Sequence, residues 1–192
     1  MLDPAIRVGF RRRAITAAMA ELCADRGYPK TTITDIAARA ATGRGTVYSL
    51  YANREEILLD LLDRTAAEFL SLCEGACTSA SGEPEARIKA ALAATLGWAA
   101  ERPASAHTFL ATAPSATPAS QRRYRGAISD LAALLRTVVP GRDQHSVRLE
   151  ENTVGGLAAI LAGMAREGRL ESAPALLDEF LGRATAPYGR RL

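Results

Sequence analysis

Arg44, Gly45, Tyr48 and Ser49 fall within one short stretch of the chain, and on a helix they share one side. Counted from Arg44 at 100° per residue, they lie between about 0° and 140°, while Val47, Leu50 and Tyr51 lie between about 240° and 340°. The second group is an apolar stripe that must be buried. The first offers a guanidinium that can fork onto guanine or a phosphate, a phenol, a hydroxyl, and a glycine that lets backbone come close. Two helical turns span about 10 Å, which suits end-on insertion into a groove about 12 Å wide. These residue types point to reading DNA, although the polar side of an ordinary surface helix has the same composition. The elements before the helix separate the two readings.

Thr32 is followed three residues later by Asp35, then by Ile36 and Ala37. This is the pattern of a capping box, in which the hydroxyl satisfies a free backbone donor and the acid sits at the positive helix end. It predicts a helix over residues 33–40 that buries Ile36, Ala37 and Ala40. Gly43 and Gly45 flank the start of the second helix, which is expected to reach Tyr51. A capped helix, a tight turn and a second helix with a spare polar face is the layout that sets a helix in the major groove.

Residues Arg11 to Leu62 resemble the N-terminal domain of TetR-type (TetR/AcrR) transcriptional regulators, on AITAAMAELCADRGYPKTTITDIA and RGTVYSLYANREEIL. The rest of the chain is similar to that family only in length and helical character. The resemblance implies DNA contacts from Thr32, Thr42, Gly43, Arg44, Gly45, Thr46, Tyr48, Ser49 and Arg54. Arg54 stands where the family carries a phosphate-binding lysine, and keeps its charge with a fork geometry. The turn departs from the family's Ala-Gly-Val-Ser and reads Ala40, Ala41, Thr42, Gly43. An alanine in a left-handed turn position costs about 1 kcal/mol, and Gly43 is a weaker cap than serine.

Of 192 residues, 48% are hydrophobic and 5% aromatic, so the cores must be built from Ala, Leu, Val and Ile. Sustained alternation is missing, which implies an all-α fold. Residues 1–53 are expected to form a three-helix helix-turn-helix DNA-binding domain. Residues 54–192 are expected to form a larger helical domain, to which the resemblance assigns ligand binding and dimerisation. Residues 1–56 hold nine Arg/Lys and six Asp/Glu, and the remainder fifteen of each, so the whole excess of +3 lies in the N-terminal segment. The run Arg11, Arg12, Arg13 fits either phosphate contacts or a solvated helix start. The first residues lack the apolar stretch of a secretory signal. The longest uncharged apolar run, 152–165, is short of the roughly 20 residues of a membrane span. A cytoplasmic location follows as the expectation. Cys73 and Cys77 lack ligand partners at metal spacing and read as small packed side chains, so no metal and no cofactor are expected.

In the larger domain, one long helix is expected from Arg54 to the SASGEP turn, then helices over residues 87–100, 121–138, 143–167 and 174–183. The stretch 103–120, broken by Pro103, Pro114 and Pro118, should hold one short helix over 107–111, and Pro140 with Gly141 should close the helix that follows it. Val154, Leu157, Leu161 and Met164 form one stripe beside Gly155, Gly156, Ala159 and Gly163. With Leu177 and Phe180 of the last helix they fit either a four-helix dimer interface or a monomer core, and the resemblance favours the dimer. Phe69, Trp98, His107, Phe109 and Tyr124 are candidates to line a ligand cavity, though each also suits an ordinary core. No nucleophile–base arrangement can be assembled, so the chain is not expected to be an enzyme.

The resemblance thus implies a homodimeric transcriptional repressor, released from a palindromic DNA operator by a small apolar or amphipathic ligand. A helical ligand-binding protein that has lost operator recognition is the alternative, kept open by the altered turn at Ala41–Gly43.

Overall fold

Ten α-helices, three 3₁₀ turns and one π turn make up the described residues of a computed structural model, 4–80, 82–139 and 147–191, and no strand occurs among them. The first helix, α1 (Pro4–Arg26), buries Ile15, Met19, Leu22 and Cys23. A 3₁₀ turn (Tyr28–Lys30) leads into α2 (Ile33–Arg39) and α3 (Arg44–Tyr48). Ile36 and Val47 from the short helices meet Ile57 and Leu58 in the same buried cluster. Alternating apolar and polar faces on short helices leave one way to pack them, around α1.

The long helix α4 (Arg54–Ser79) starts on an Asn53 cap, whose side-chain carbonyl accepts from the Glu56 amide. It packs on α1 and also on α5 (Pro84–Glu101) and α8 (Pro118–Val138), so one rod of roughly 39 Å serves both halves of the chain. Helix α9 (Val147–Arg166) lies against α8, and α10 (Leu177–Thr185) against α5 and α9.

The stretch around the three prolines differs from expectation. Instead of one short helix between breaks, α6 (Pro103–His107), a π turn (Thr108–Thr112) and α7 (Ala113–Ala116) follow one another without a gap. Pro103, Pro114 and Pro118 each occupy a first-turn position of α6, α7 or α8. At Pro103 and Pro118, which open α6 and α8, the missing N–H has no helical partner to lose, so proline starts a helix instead of breaking it. α3 is also shorter than expected, ending at Tyr48 with the chain turning through Ser49 and Leu50. Pro140 and Gly141, and the expected helix start at 143–146, lie outside the described residues.

The stripe expected to face a second copy is engaged within the chain itself. Phe180 is fully buried, and Leu161 and Met164 are buried beside it in the same core. Val154 and Leu157 border an internal cavity, and Leu177 packs on the core. Leu161, Met164 and Phe180 are core residues, whereas Val154, Leu157 and Leu177 remain half-buried. A broad apolar helix face has the same pattern whether its own chain or a copy covers it.

Candidate functional site

The helix pair is built as its residues require. Thr32 Oγ1 accepts from the Asp35 amide at 3.2 Å, and the Asp35 carboxylate accepts from the Thr32 amide at 3.1 Å. The Thr32 hydroxyl also donates to that carboxylate at 2.6 Å, and this bond, then the one from the Thr32 amide, hold the Asp35 carboxyl below the usual range, with help from Arg26 at 3.0 Å. The Thr32 hydroxyl is therefore committed to its own helix. After α2 the chain turns through a Schellman arrangement: the Thr42 amide donates to the Ala37 carbonyl and the Ala41 amide to that of Ala38. Ala41 takes φ 49°, the single positive-φ non-glycine position among the described residues. The turn geometry is kept without the glycine that normally relieves it.

Gly43 caps α3 with backbone alone. Val47 is buried completely, which fixes the rotation of this helix about its axis. Arg44, Gly45, Tyr48 and Ser49 are left on the outside, with Tyr48 57% exposed. Thr42 and Thr46 are half-buried and Gly43 is exposed. Ser49 Oγ donates back to the Thr46 carbonyl at 2.8 Å, tightening the end of the helix.

Two arginines brace this unit from behind. Tyr51 is buried, and its hydroxyl donates to Asp60 Oδ2 at 2.5 Å. Burial, with the Asp60 carboxylate adding to it, pushes the phenol above the ordinary tyrosine range. Arg12 lies 4.9 Å from the centre of the Tyr51 ring, donates to the Leu50 carbonyl at 3.4 Å and pairs with Asp60 at 3.5 Å. Of the Arg11–Arg13 run, then, Arg12 is spent on the fold while Arg11 and Arg13 are exposed. Arg54 is likewise engaged within the fold. Its Nη1 donates to the carbonyls of Tyr28 at 3.1 Å, Pro29 at 3.3 Å and Thr31, and its guanidinium stacks 4.2 Å from the Tyr28 ring centre. One nitrogen of the guanidinium, Nη1, closes the carbonyl end of a 3₁₀ turn here.

An apolar cavity of about 120 Å³ lies between α4, α5, the π turn, α8, α9 and α10. Phe69, Trp98 and Phe109 line it, with Phe69 and Trp98 edge to face at 5.4 Å between ring centres. Tyr124 stays outside and packs on Phe109 at 5.7 Å. His107 does not line the cavity either. Burial and then Arg166 hold its imidazole below the ordinary histidine range, and its buried Nδ1 has no hydrogen-bond partner among the described residues. Sequence reasoning missed Cys73, Cys77 and Thr95 as wall residues, because i, i+4 spacing does not say what a helix faces. Burial pushes the Cys73 thiol up to about 11, so it stays protonated at neutral pH.

A capped helix-turn-helix beneath a bundle with an apolar cavity defines a class, the two-part all-helical proteins. Residues 15–61 match the family model described as bacterial regulatory proteins, tetR family. That segment carries the family's N-terminal domain, and the chain as a whole shares its fold with a TetR-like protein. It aligns at TM-score 0.77 and 16% identity with the fatty acid degradation regulator FadR of Bacillus halodurans, covering 90% of this chain and 96% of that one. FadR from Bacillus subtilis, solved in complex with stearoyl-CoA, aligns with the same values. A TetR-like transcriptional regulator from Rhodococcus sp. RHA1 aligns at TM-score 0.68 and 19% identity, over 97% and 99% of the two chains. No curated protein matches the chain in sequence.

Proposed function

We propose that this protein is a homodimeric, sequence-specific DNA-binding repressor, released from a palindromic operator by a small amphipathic ligand in the cavity. The observation that carries this reading is the division of α3: Val47 is locked into the core, while Arg44 and Tyr48 face outward with no partner among the described residues. A helix this short reads few base pairs, and two copies on a two-fold axis supply the rest of the specificity. Residues 1–53 read DNA and residues 54–192 carry the ligand and dimer functions, with α4 joining the two. The kept turn at Ala41 supports this reading over a protein that has lost its operator.

The apolar cavity supports ligand control, and the stearoyl-CoA held by Bacillus subtilis FadR supports an amphipathic ligand. A coupling of about 1–3 kcal/mol between cavity and operator changes DNA affinity 5- to 150-fold. We place the protein in the cytoplasm and give it no enzymatic activity; no helix among the described residues is long and apolar enough to cross a membrane. Gel shift with the DNA upstream of the chain's own coding sequence tests the reading. Selective binding weakened about tenfold or more by Arg44→Ala, and reduced by Tyr48→Phe, is expected. No retardation at any salt concentration overturns it.

A further inference from the structure

A second space, a slot of about 400 Å³, lies between α4 and α8 and shares two wall residues, Phe69 and Leu131, with the internal cavity. It exists because the facing helices carry small side chains there, Ala66 and Ala67 on α4 against Gly126 and Ala127 on α8. The two spaces differ in chemistry. The cavity wall is almost wholly apolar, whereas the slot is bordered by Arg122, Arg123, Asp63 and Asp130. Arg123 is neutralised by Asp63 at 3.2 Å. Arg122 makes no ion pair among the described residues and is exposed at the mouth.

Size separates the parts of a ligand between these spaces. The internal cavity is close to the roughly 150 Å³ that accepts a benzene ring, so a longer molecule needs further room, and the slot beyond Phe69 and Leu131 offers it. Arg122 lies nine residues before Leu131 on α8, roughly 13 Å along the helix axis. Asp130, beside Leu131, disfavours an anion at the inner end and leaves the Arg122 end for it. A neutral chain passes Asp130 without that cost.

We propose that the α4–α8 slot is the head-group site for a ligand with an alkyl or aryl chain and one anionic end, a carboxylate or a phosphate. The chain runs past Phe69 and Leu131 into the cavity, and the anion rests on Arg122. This rests on the reading of the cavity as a ligand site and adds the ligand's charge and direction of entry.

Trp98, the single tryptophan of the chain, lines the cavity, so its fluorescence reports the tail. The full-length protein is titrated with dodecanoate, monododecyl phosphate, dodecanol and dodecylammonium, each below its micelle concentration. At least one of the two anions is expected to bind about tenfold more tightly than the alcohol, as a charge-assisted contact provides, with the ammonium weakest. The tighter of the two anions identifies the head group. Arg122→Glu is expected to reverse the order while Trp98 still responds, and Arg122→Lys to preserve it. Equal binding of both anions and the alcohol, or an unchanged order in Arg122→Glu, overturns the head-group site while the Trp98 response leaves the cavity reading standing. Silence of Trp98 toward all four probes overturns both.

Discussion

The hydroxyl of Thr108 donates to the carbonyl of Ala20 across 3.2 Å, fully buried between the π turn and α1. One residue further on, Phe109 and Leu110 line the internal cavity. The same turn therefore touches the cavity on one side and α1, against which α2 packs, on the other. A π turn widens the helix by one residue per loop and often marks a functional position. Thr108→Val keeps the shape and removes the bond, so a stability loss of about 1 kcal/mol is expected. Ligand affinity, read by Trp98 fluorescence, should stay the same while the ligand's effect on operator binding in a gel shift shrinks. An undiminished ligand effect would show that the coupling runs elsewhere.

Ala41 holds a left-handed conformation that glycine adopts freely. It is exposed and gives up no packing when its methyl is removed. Relief of the left-handed cost, less the entropy glycine adds to the unfolded chain, leaves a net gain of about 0.5–1 kcal/mol for Ala41→Gly. Urea denaturation should show a higher midpoint with the same slope. Operator affinity should not change, since the turn geometry is already in place.

What the sequence made legible was local. Thr32 and Asp35 stand three residues apart, and that spacing alone specifies the cap that forms. The wheel position of Val47 against Arg44 and Tyr48 likewise needs only helical geometry. Phe69, Trp98 and Phe109 were recognisable as large apolar side chains, yet nothing local distinguished them from Tyr124, which stays outside the cavity. The Arg12–Asp60 pair joins residues 48 apart, and no pattern along the chain announces it. The bonds of Arg54 were hidden for the same reason: its three carbonyl partners lie more than twenty residues earlier. Leu161 and Phe180 show the matching limit for apolar residues, since periodicity reveals a buried face and not which chain buries it.

Arg54 at the carbonyl end of the Tyr28–Lys30 turn gives a test that separates bracing from phosphate binding. Arg54→Lys keeps the charge but loses the planar guanidinium that bonds the carbonyls and stacks on Tyr28 at once. A loss of about 1–2 kcal/mol in stability is expected by denaturant titration. The dependence of operator affinity on salt should keep its slope, because a group bound to carbonyls releases no counterion from DNA. A slope shallower by about one in the Arg54→Ala protein would return the residue to the phosphate-contact role.

Acid should weaken the fold in two stages, from groups in the two halves of the chain. His107 has an ordinary value of 6.5, lowered in the fold by burial and then by Arg166. The folded state thus favours the neutral imidazole, and its contribution, complete above about 6.5, is lost as pH falls through the lower folded value. Asp60 follows the same sign from 3.8 downward. Burial acts to raise it, but the Tyr51 hydroxyl, Arg64 and Arg12 together outweigh burial and lower it. Its carboxylate stabilises the fold above 3.8 and that stability disappears as the pH falls through the depressed folded value. Exposed Asp35, held low first by its bonds to Thr32, adds to the same stage. Melting temperature measured from pH 8 to pH 3 is expected to fall first below about 6.5 and again below about 3.8. His107→Gln should flatten the first fall; the chain's other histidine, His145, lies outside the described residues, so this variant is what assigns it. Asp60→Asn should flatten most of the second while lowering stability at neutral pH, since Tyr51, Arg12 and Arg64 lose their shared anion. A first fall that survives in His107→Gln would place its origin in another group.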